Sequence, residues 1–244
     1  MPDRRTTACA LAALSVGALA AACGGGVSGP LAGKTPAQIL SAALTAASHS
    51  SGFHYVLRAD NGSQHETITG DAAPGGGIQT VTSATDTVVV EVIGTAVYVM
   101  GNAGGLKDTI GLPATSATKY AGQWISVKQT DSLYQPVTQA VTTSGVLGEL
   151  EPKGHLAEVP KTFNGTSAVA VTGGLPGAAQ QGVTGTSTMY VAAGSPTVPI
   201  GFTGTAKNNG QTVSDNGTFT KWGEQVPLSA PTGTIVAFSS IPTA

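Results

Sequence analysis

Residues 52–62 read GFHYVLRADNG, and their pattern is the clearest indication of the fold class. Phe53, Tyr55 and Leu57 occupy every second position, which is the period of a strand that buries one face. The pair Asn61-Gly62 has the composition of a two-residue hairpin turn. The sequence therefore predicts that an antiparallel sheet begins here.

The same strand pattern recurs along most of the chain. Further strands are predicted at 64–70, 78–82, 87–93, 96–100, 124–127, 155–159, 166–171, 184–191, 198–206 and 212–220. Gly94-Thr95 and the Asn-Gly pairs at 164–165, 209–210 and 216–217 mark turns or bulges, and 101–118 is predicted to be a loop. We expect one sheet of about ten strands, and a twisted sheet of that width curls.

Beyond the first 33 residues, sequence patterns typical of helices occur at only two places. Thr35-Pro36-Ala37-Gln38 combines an N-cap threonine, a proline at the first helical position and a glutamine that closes a capping box. Between Asp131 and Leu150 the apolar spacing indicates two short helices or one kinked helix. The predicted fold class is α+β, with a single curved, half-barrel antiparallel sheet and two or three short helices packed on its concave face.

The first residues have the layout of an export signal. Arg4 and Arg5 precede an uncharged, Ala- and Leu-rich stretch of about 15 residues, which is too short to span a membrane; a buried N-terminal helix is the alternative. Leu19-Ala20-Ala21-Ala22-Cys23 is similar to the lipobox of bacterial lipoproteins, although the leucine lies four positions before the cysteine rather than three. We predict a signal peptide at 1–22, a lipidated Cys23 with a glycine-rich tether through 33, and one domain at 34–244. The protein is then expected at the extracytoplasmic face of the cell membrane, held there by its lipid anchor.

The composition excludes two classes of protein. A net charge of -2 and a mean hydropathy of +0.15 do not fit a disordered chain. Only 11 residues are Lys or Arg, so a basic face for a nucleic-acid partner is absent from the sequence. We expect a folded, monomeric domain.

The sequence carries no recognisable catalytic or metal-binding motif. The four histidines, His49, His54, His65 and His155, lack the spacing of metal ligands. No Gly-x-Ser-x-Gly motif occurs, and Glu149 and Glu151 have the pattern of solvated charges. We therefore predict a non-enzymatic protein without a cofactor or metal, and a hydrolase ranks third among the hypotheses.

The predicted core is poor in bulky side chains. Aromatic residues make up 5% of the chain, and Val, Ala, Leu and Ile dominate the apolar positions. Small aliphatic side chains on a curved sheet fill space poorly, and the resulting cavity accepts apolar ligands. A sheet that closes on its helices and leaves a dry core is the alternative, and periodicity does not separate the two.

Several short segments of the sequence resemble those of actinobacterial cell-envelope lipoproteins of the LppX/LprAFG type. After the lipobox and tether these are TPAQIL (35–40), VYV (97–99), GQWISV (122–127), MYV (189–191) with Pro196 to Pro199, and FTKWGEQVP (219–227). The family's fold is similar to that of the periplasmic carriers LolA and LolB, in which helices plug a half-open sheet around an apolar cavity. Its members bind lipids or lipoglycans with long acyl chains.

The resemblance implies a ligand and a set of contacts. The ligand would be a lipid or acylated glycolipid, and the helical residues in contact with it would be Leu133, Val137, Val141, Val146 and Leu147. Tyr98 and Trp124 are candidate mouth residues, because an aromatic ring tolerates one wet edge. Core packing is the alternative role for each of them. The predicted function is lipid transport or presentation, with an envelope transporter as a further partner. The alternative is a structural or interaction lipoprotein without a lipid ligand.

Overall fold

The fold is described from a computed structural model. The structure describes residues 29–242 except 61, 63–64, 177–182 and 209–210. The predicted signal peptide, Cys9 and Cys23 therefore lie outside the described residues. No helix in the described part is both long and apolar enough to cross a membrane.

One sheet of twelve strands organises the chain. The strands are β1 (Phe53–Asp60), β2 (His65–Ala73), β3 (Gly76–Thr82), β4 (Thr87–Ile93), β5 (Ala96–Gly101), β6 (Trp124–Val127), β7 (Lys153–Phe163), β8 (Thr166–Gly174), β9 (Thr184–Ala192), β10 (Pro199–Asn208), β11 (Gln211–Thr220) and β12 (Ile235–Ala237). Their order across the sheet is β12-β6-β5-β4-β3-β2-β1-β11-β10-β9-β8-β7. The sheet is open and curved, as predicted, with β7 and β12 at its two edges.

The predicted count of about ten strands is wrong, because there are twelve and one of them has no sequence signal. β12 has only three residues, too few to show a period of two. It pairs in parallel with β6, Ile235 beside Trp124, whereas the other neighbouring pairs are antiparallel. A parallel partner needs a long connection, and residues 221–234 supply it.

Five α-helices are described rather than the two or three predicted. They are α1 (Pro36–Ser48), α2 (Ala103–Asp108), α3 (Ala114–Tyr120), α4 (Tyr134–Val141) and α5 (Thr143–Leu150). The capping box at Thr35 is confirmed, with Gln38 N donating to Thr35 Oγ1 at 3.3 Å. Of the two alternatives for 131–150, two separate helices are present, divided at Thr142 by its extended backbone.

The prediction of a loop at 101–118 is wrong. Asn102 caps α2 by accepting a hydrogen bond from Gly105 N at 2.8 Å. Two glycines lower the intrinsic helix propensity of α2, but Leu106 is fully buried and Ala117 of α3 is 1% exposed. Tertiary packing therefore forms two helices that the local sequence disfavours.

The helices pack against one face of the sheet, here called the helix-bearing face. Three core clusters lie there: the α4 cluster (Val90, Val99, Ile125, Leu106, Val137 and Val141 among others), the α1 cluster (Ile39, Leu40, Val169, Val171, Met189 and Val191 among others) and the α5 cluster (Phe53, Tyr55, Val146, Leu147, Phe202 and Phe219 among others). The opposite face is rich in threonine, and the Thr172 and Thr188 hydroxyls are hydrogen-bonded at 2.8 Å. The alternation read at β1 thus separates a helix-covered face from a polar one.

Two of the Asn-Gly pairs behave differently. Asn164 and Gly165 both have positive φ, 47° and 80°, and turn β7 into β8 as predicted. Asn216-Gly217 is not a turn but lies inside β11. A Cβ on Gly217 would lie 2.6 Å from Leu57 Cδ2, so this glycine makes room for a side chain on the neighbouring strand.

Candidate functional site

The helical residues singled out from the sequence lie in the core. Val137 and Val141 belong to the α4 cluster, with Leu133 half-buried against it, and Val146 and Leu147 belong to the α5 cluster. The four valine and leucine side chains within the clusters are at most 6% exposed. All five residues therefore face the sheet.

Tyr98 and Trp124 lie elsewhere. Tyr98 stands between the inward-facing Val97 and Val99 on β5, so its side chain is on the opposite face of the sheet. Trp124 precedes the buried Ile125 on β6 and shares that opposite face. The structure does not bring the two aromatic side chains together with the helical residues.

The accessible apolar surface of the helix-bearing face is a set of half-buried aliphatic side chains, here called the aliphatic rim. Its members are Leu44 of α1, Leu150 of α5, Leu57 of β1, Ile68 of β2 and Leu156 of β7. Leu44 and Leu150 contact both the α1 and the α5 cluster. The rim thus joins two cores and leaves part of each side chain open to solvent.

Two glycines beside the rim differ in how much room a side chain would have. Phe202 Cε1 would lie 2.7 Å from a Cβ on Gly217, so that position is filled. Gly204, on the same face of β10, has its nearest neighbours 3.8 Å from a Cβ, among them Phe202 Cε2 and Asp215 Cβ. A Cβ therefore fits at Gly204 in ordinary van der Waals contact.

Two open grooves lie beside the helices, and one of them is lined by residues of the rim. One, of about 410 Å³, runs between α1 and β7 and is lined by Leu40, Leu44 and Leu156. The other, of about 520 Å³, lies over the α4–α5 junction and includes Gly145 and Glu149. Both grooves are shallow and open to solvent rather than enclosed.

The ionisable groups near the rim are shifted toward their neutral forms. Burial raises the pKa of the partly buried Asp215 carboxyl. Desolvation by neighbouring atoms also raises the pKa of the Glu149 carboxyl, although this residue remains exposed. Burial, followed by the negative charges of Asp71 and Glu149, raises the pKa of the Tyr55 phenol well above its usual range. Tyr55 therefore stays protonated, and its hydroxyl donates to Gln79 Oε1 at 2.9 Å.

Asp215 makes the stability of the protein depend on pH. Its folded-state pKa is raised above the ordinary 3.8, so the folded state binds the proton more tightly than the unfolded state. The contribution to stability is present below pH 3.8 and is lost as the pH rises through the folded pKa. We expect Asp215→Asn to raise the melting temperature at pH 7 and to reduce its fall between pH 4 and pH 7.

The matched control is Asp108→Asn, because Asp108 is an exposed carboxylate paired with Lys107. It should change the melting temperature little at any pH. Thermal unfolding followed by circular dichroism measures both variants. The same pH profile for wild type and Asp215→Asn would contradict the assignment.

The sequence does not predict that the residues of the aliphatic rim lie together. Leu57 and Ile68 are direct partners across β1 and β2, and Leu57 is also opposite Gly217 of β11. The alternation at 53–57 placed Leu57 on a buried face, but the pairing of β1 with β11 has no local signal. The rim exists only through that long-range register.

No protein-family model and no curated protein matches the chain. Solved structures do: LprF from Mycobacterium bovis has a TM-score of 0.47 and 16% identity, over 81% of this chain and 97% of that one. The Mycobacterium tuberculosis lipoprotein LppX has a TM-score of 0.49 and 15% identity, over 80% of this chain and 100% of that one. LprF and LppX are lipoproteins of the type that the sequence resembles.

Proposed function

We propose that this protein is a membrane-anchored cell-envelope lipoprotein that binds an acyl chain of a lipid or lipoglycan on its helix-bearing face. Its role is transport or presentation of that lipid, without catalysis. The observation that carries the proposal is the aliphatic rim, because it is a partly exposed apolar surface continuous with two cores. Apolar surface of this kind on a single domain marks a ligand or interaction site.

The energetics favour an acyl chain as the ligand. Burial of a methylene group contributes about 0.8 kcal/mol, so ten enclosed methylenes contribute roughly 8 kcal/mol before the costs of association. The groove beside Leu44 is one place where the chain can begin to bind. Gly204, which has no side chain, lies on the same face of the sheet and is a second. Recognition then needs few polar contacts.

Deeper insertion requires the helices to move. α4 and α5 have eight residues each, and helices of that length depend on packing for their stability. If α5 moves away from the sheet, Val146 and Leu147 line the widened space, and a shift of α4 adds Leu133, Val137 and Val141. Tyr98 and Trp124 take no part in this site.

One observation favours the second candidate, a structural or interaction lipoprotein on the same scaffold without a lipid ligand. Val141 is fully buried and Leu147 is 2% exposed, so the protein's own side chains fill the space beneath the helices. An envelope transporter or a cell-wall component would then bind the surface of the domain.

Equilibrium binding of a fluorescent long-chain fatty acid to the full-length protein separates these two functions. Lipid carriage predicts saturable binding of one probe, displaced by an unlabelled diacyl lipid. Absence of saturable binding would favour the interaction role. Bovine serum albumin and a protein with no apolar site serve as positive and negative references.

The proposed anchor depends on Cys23, which follows a signal peptide at 1–22 and begins a glycine-rich tether. The predicted end of the tether at residue 33 is wrong, because Leu31 is 1% exposed and belongs to the α1 cluster. We expect Cys23→Ser to move the full-length protein expressed in an actinobacterial host from the detergent phase to the aqueous phase of a Triton X-114 extraction, because the diacylglyceryl thioether is lost. Cys9→Ser is the matched control and should leave the partition unchanged, since Cys9 lies in the removed segment. Detergent-phase recovery of Cys23→Ser would show that the anchor lies elsewhere.

A further inference from the structure

Three potential metal ligands meet at one end of the sheet, on the face opposite the helices. His54 lies on β1, Asp71 is its direct partner on β2, and Glu224 lies in the turn after β11. One ligand atom from each residue can be chosen so that all three lie within 4.8 Å of one another. We propose that these side chains form a binding site for a divalent transition-metal ion, with Zn²⁺ as the probe that tests it.

The His54–Asp71 pair already places an imidazole nitrogen beside a carboxylate oxygen. His54 Nδ1 lies 2.6 Å from Asp71 Oδ1, and both side chains are partly exposed, at 25% and 33%. Imidazole nitrogen and carboxylate oxygen bind zinc with bonds of about 2.0–2.2 Å. Ligand atoms of a tetrahedral site are then about 3.4 Å apart, so small side-chain rotations bring the present atoms into place.

Glu224 supplies an independent indication. Its Oε1 atom is buried and, within the described residues, has no hydrogen-bond partner. The other oxygen lies 3.8 Å from Lys221 Nζ, a long contact to a side chain that is 64% exposed. A buried carboxylate oxygen without a partner is costly, and coordination of a cation removes that cost.

The backbone around Glu224 is held firmly. Ser51 Oγ donates to Gly223 O at 2.7 Å, and Gly223 N donates to Gly52 O at 2.9 Å. The ring of Trp222 stacks on Phe53 with centroids 4.4 Å apart, and its Nε1 donates to Pro199 O at 2.8 Å. The turn is therefore a fixed support, as a ligand of a preformed site requires.

The ligand set indicates the class of ion and its role. One imidazole and two carboxylates suit Zn²⁺ and neighbouring first-row ions, and three protein ligands leave a position for water. The ion would tie the turn at 221–224 to β1 and β2. The segment that follows this turn crosses to β12 at the far edge of the sheet, with Ser229 N donating to the buried Glu91 Oε1 at 3.2 Å. Metal binding would therefore fasten the start of the C-terminal segment.

Titration calorimetry with Zn²⁺ on the full-length protein tests the proposal. All proteins compared carry Cys9→Ser and Cys23→Ser, so that no thiol competes for the metal. The parent should bind one Zn²⁺ with a dissociation constant in the micromolar range or below. His54→Ala and Glu224→Gln should each weaken binding at least tenfold, and Zn²⁺ should raise the melting temperature of the parent but not of either variant.

The matched control is His65→Ala. His65 Nδ1 lies 3.2 Å from Asp60 Oδ2 on the same two strands, but this pair is not part of a three-ligand group among the described residues. Its Zn²⁺ affinity should equal that of the parent. The proposal is overturned if the parent does not bind Zn²⁺, if Glu224→Gln binds as well as the parent, or if His65→Ala abolishes binding. Circular dichroism of Glu224→Gln confirms that it is folded, so that loss of affinity reports the ligand.

Discussion

Gly77→Ala is expected to lower the free energy of unfolding by about 3 kcal/mol. A Cβ at this position of β3 would overlap the carbonyl oxygen of Val141, the last residue of α4, and would lie 2.6 Å from Asp71 O. Both obstacles are backbone atoms, which cannot rotate away as a side chain would. Overpacking of this kind typically costs 1–3 kcal/mol, and a rigid obstacle places it at the upper end. Denaturant unfolding followed by circular dichroism measures the loss.

Gly75→Ala is the matched control for this prediction. Gly75 lies two residues earlier, its φ is not in the left-handed region, and no atom lies within 4 Å of a Cβ there. The substitution should change the free energy of unfolding by no more than about 0.5 kcal/mol. Equal stability of Gly77→Ala and wild type would show that the end of α4 does not rest on β3.

Gly204→Leu is expected to weaken binding of a fluorescent long-chain fatty acid at least tenfold. The new side chain would project from the helix-bearing face beside Phe202 and Asp215. A bound acyl chain and the leucine side chain would compete for the same volume. Loss of two enclosed methylenes already corresponds to about 1.6 kcal/mol, which is more than a tenfold change in affinity.

Two variants isolate the steric effect. Gly204→Ala adds only a Cβ, which has room at 3.8 Å, and should bind the fatty acid nearly as well as wild type. Thr205→Leu adds a similar apolar side chain at the next residue, on the opposite, exposed face of β10, and should not change the affinity. Equal affinities of Gly204→Leu and wild type would remove the space over Gly204 from the proposed site.

Much of the fold is readable from the sequence where local patterns are strong. The alternation at Phe53, Tyr55 and Leu57 reports a strand because each side chain alternates between a covered and an uncovered face. Thr35 and Gln38 report a helix start because both capping hydrogen bonds are local. The pattern failed at α2 and α3, where burial of Leu106 and Ala117 outweighs poor helix propensity.

The candidate sites are harder to predict from the sequence, because they depend on contacts between distant parts of the chain. Leu57 meets Gly217 through the pairing of β1 with β11, and no feature of either strand specifies that partner. His54 and Asp71 are 17 residues apart, and Glu224 comes from a turn far later in the sequence. Tyr98 carries a local strand signal, but that signal does not tell which face the helices cover.

Native mass spectrometry of the full-length protein, isolated from actinobacterial membranes in mild detergent, tests the central claim most directly. The claim is that the helix-bearing face carries an acyl chain. We expect a species heavier than the lipidated polypeptide by the mass of one non-covalent lipid, released on collisional activation and absent from Gly204→Leu. A wild-type protein that carries only its covalent anchor, and that takes up no lipid when diacyl lipid is added, would contradict it.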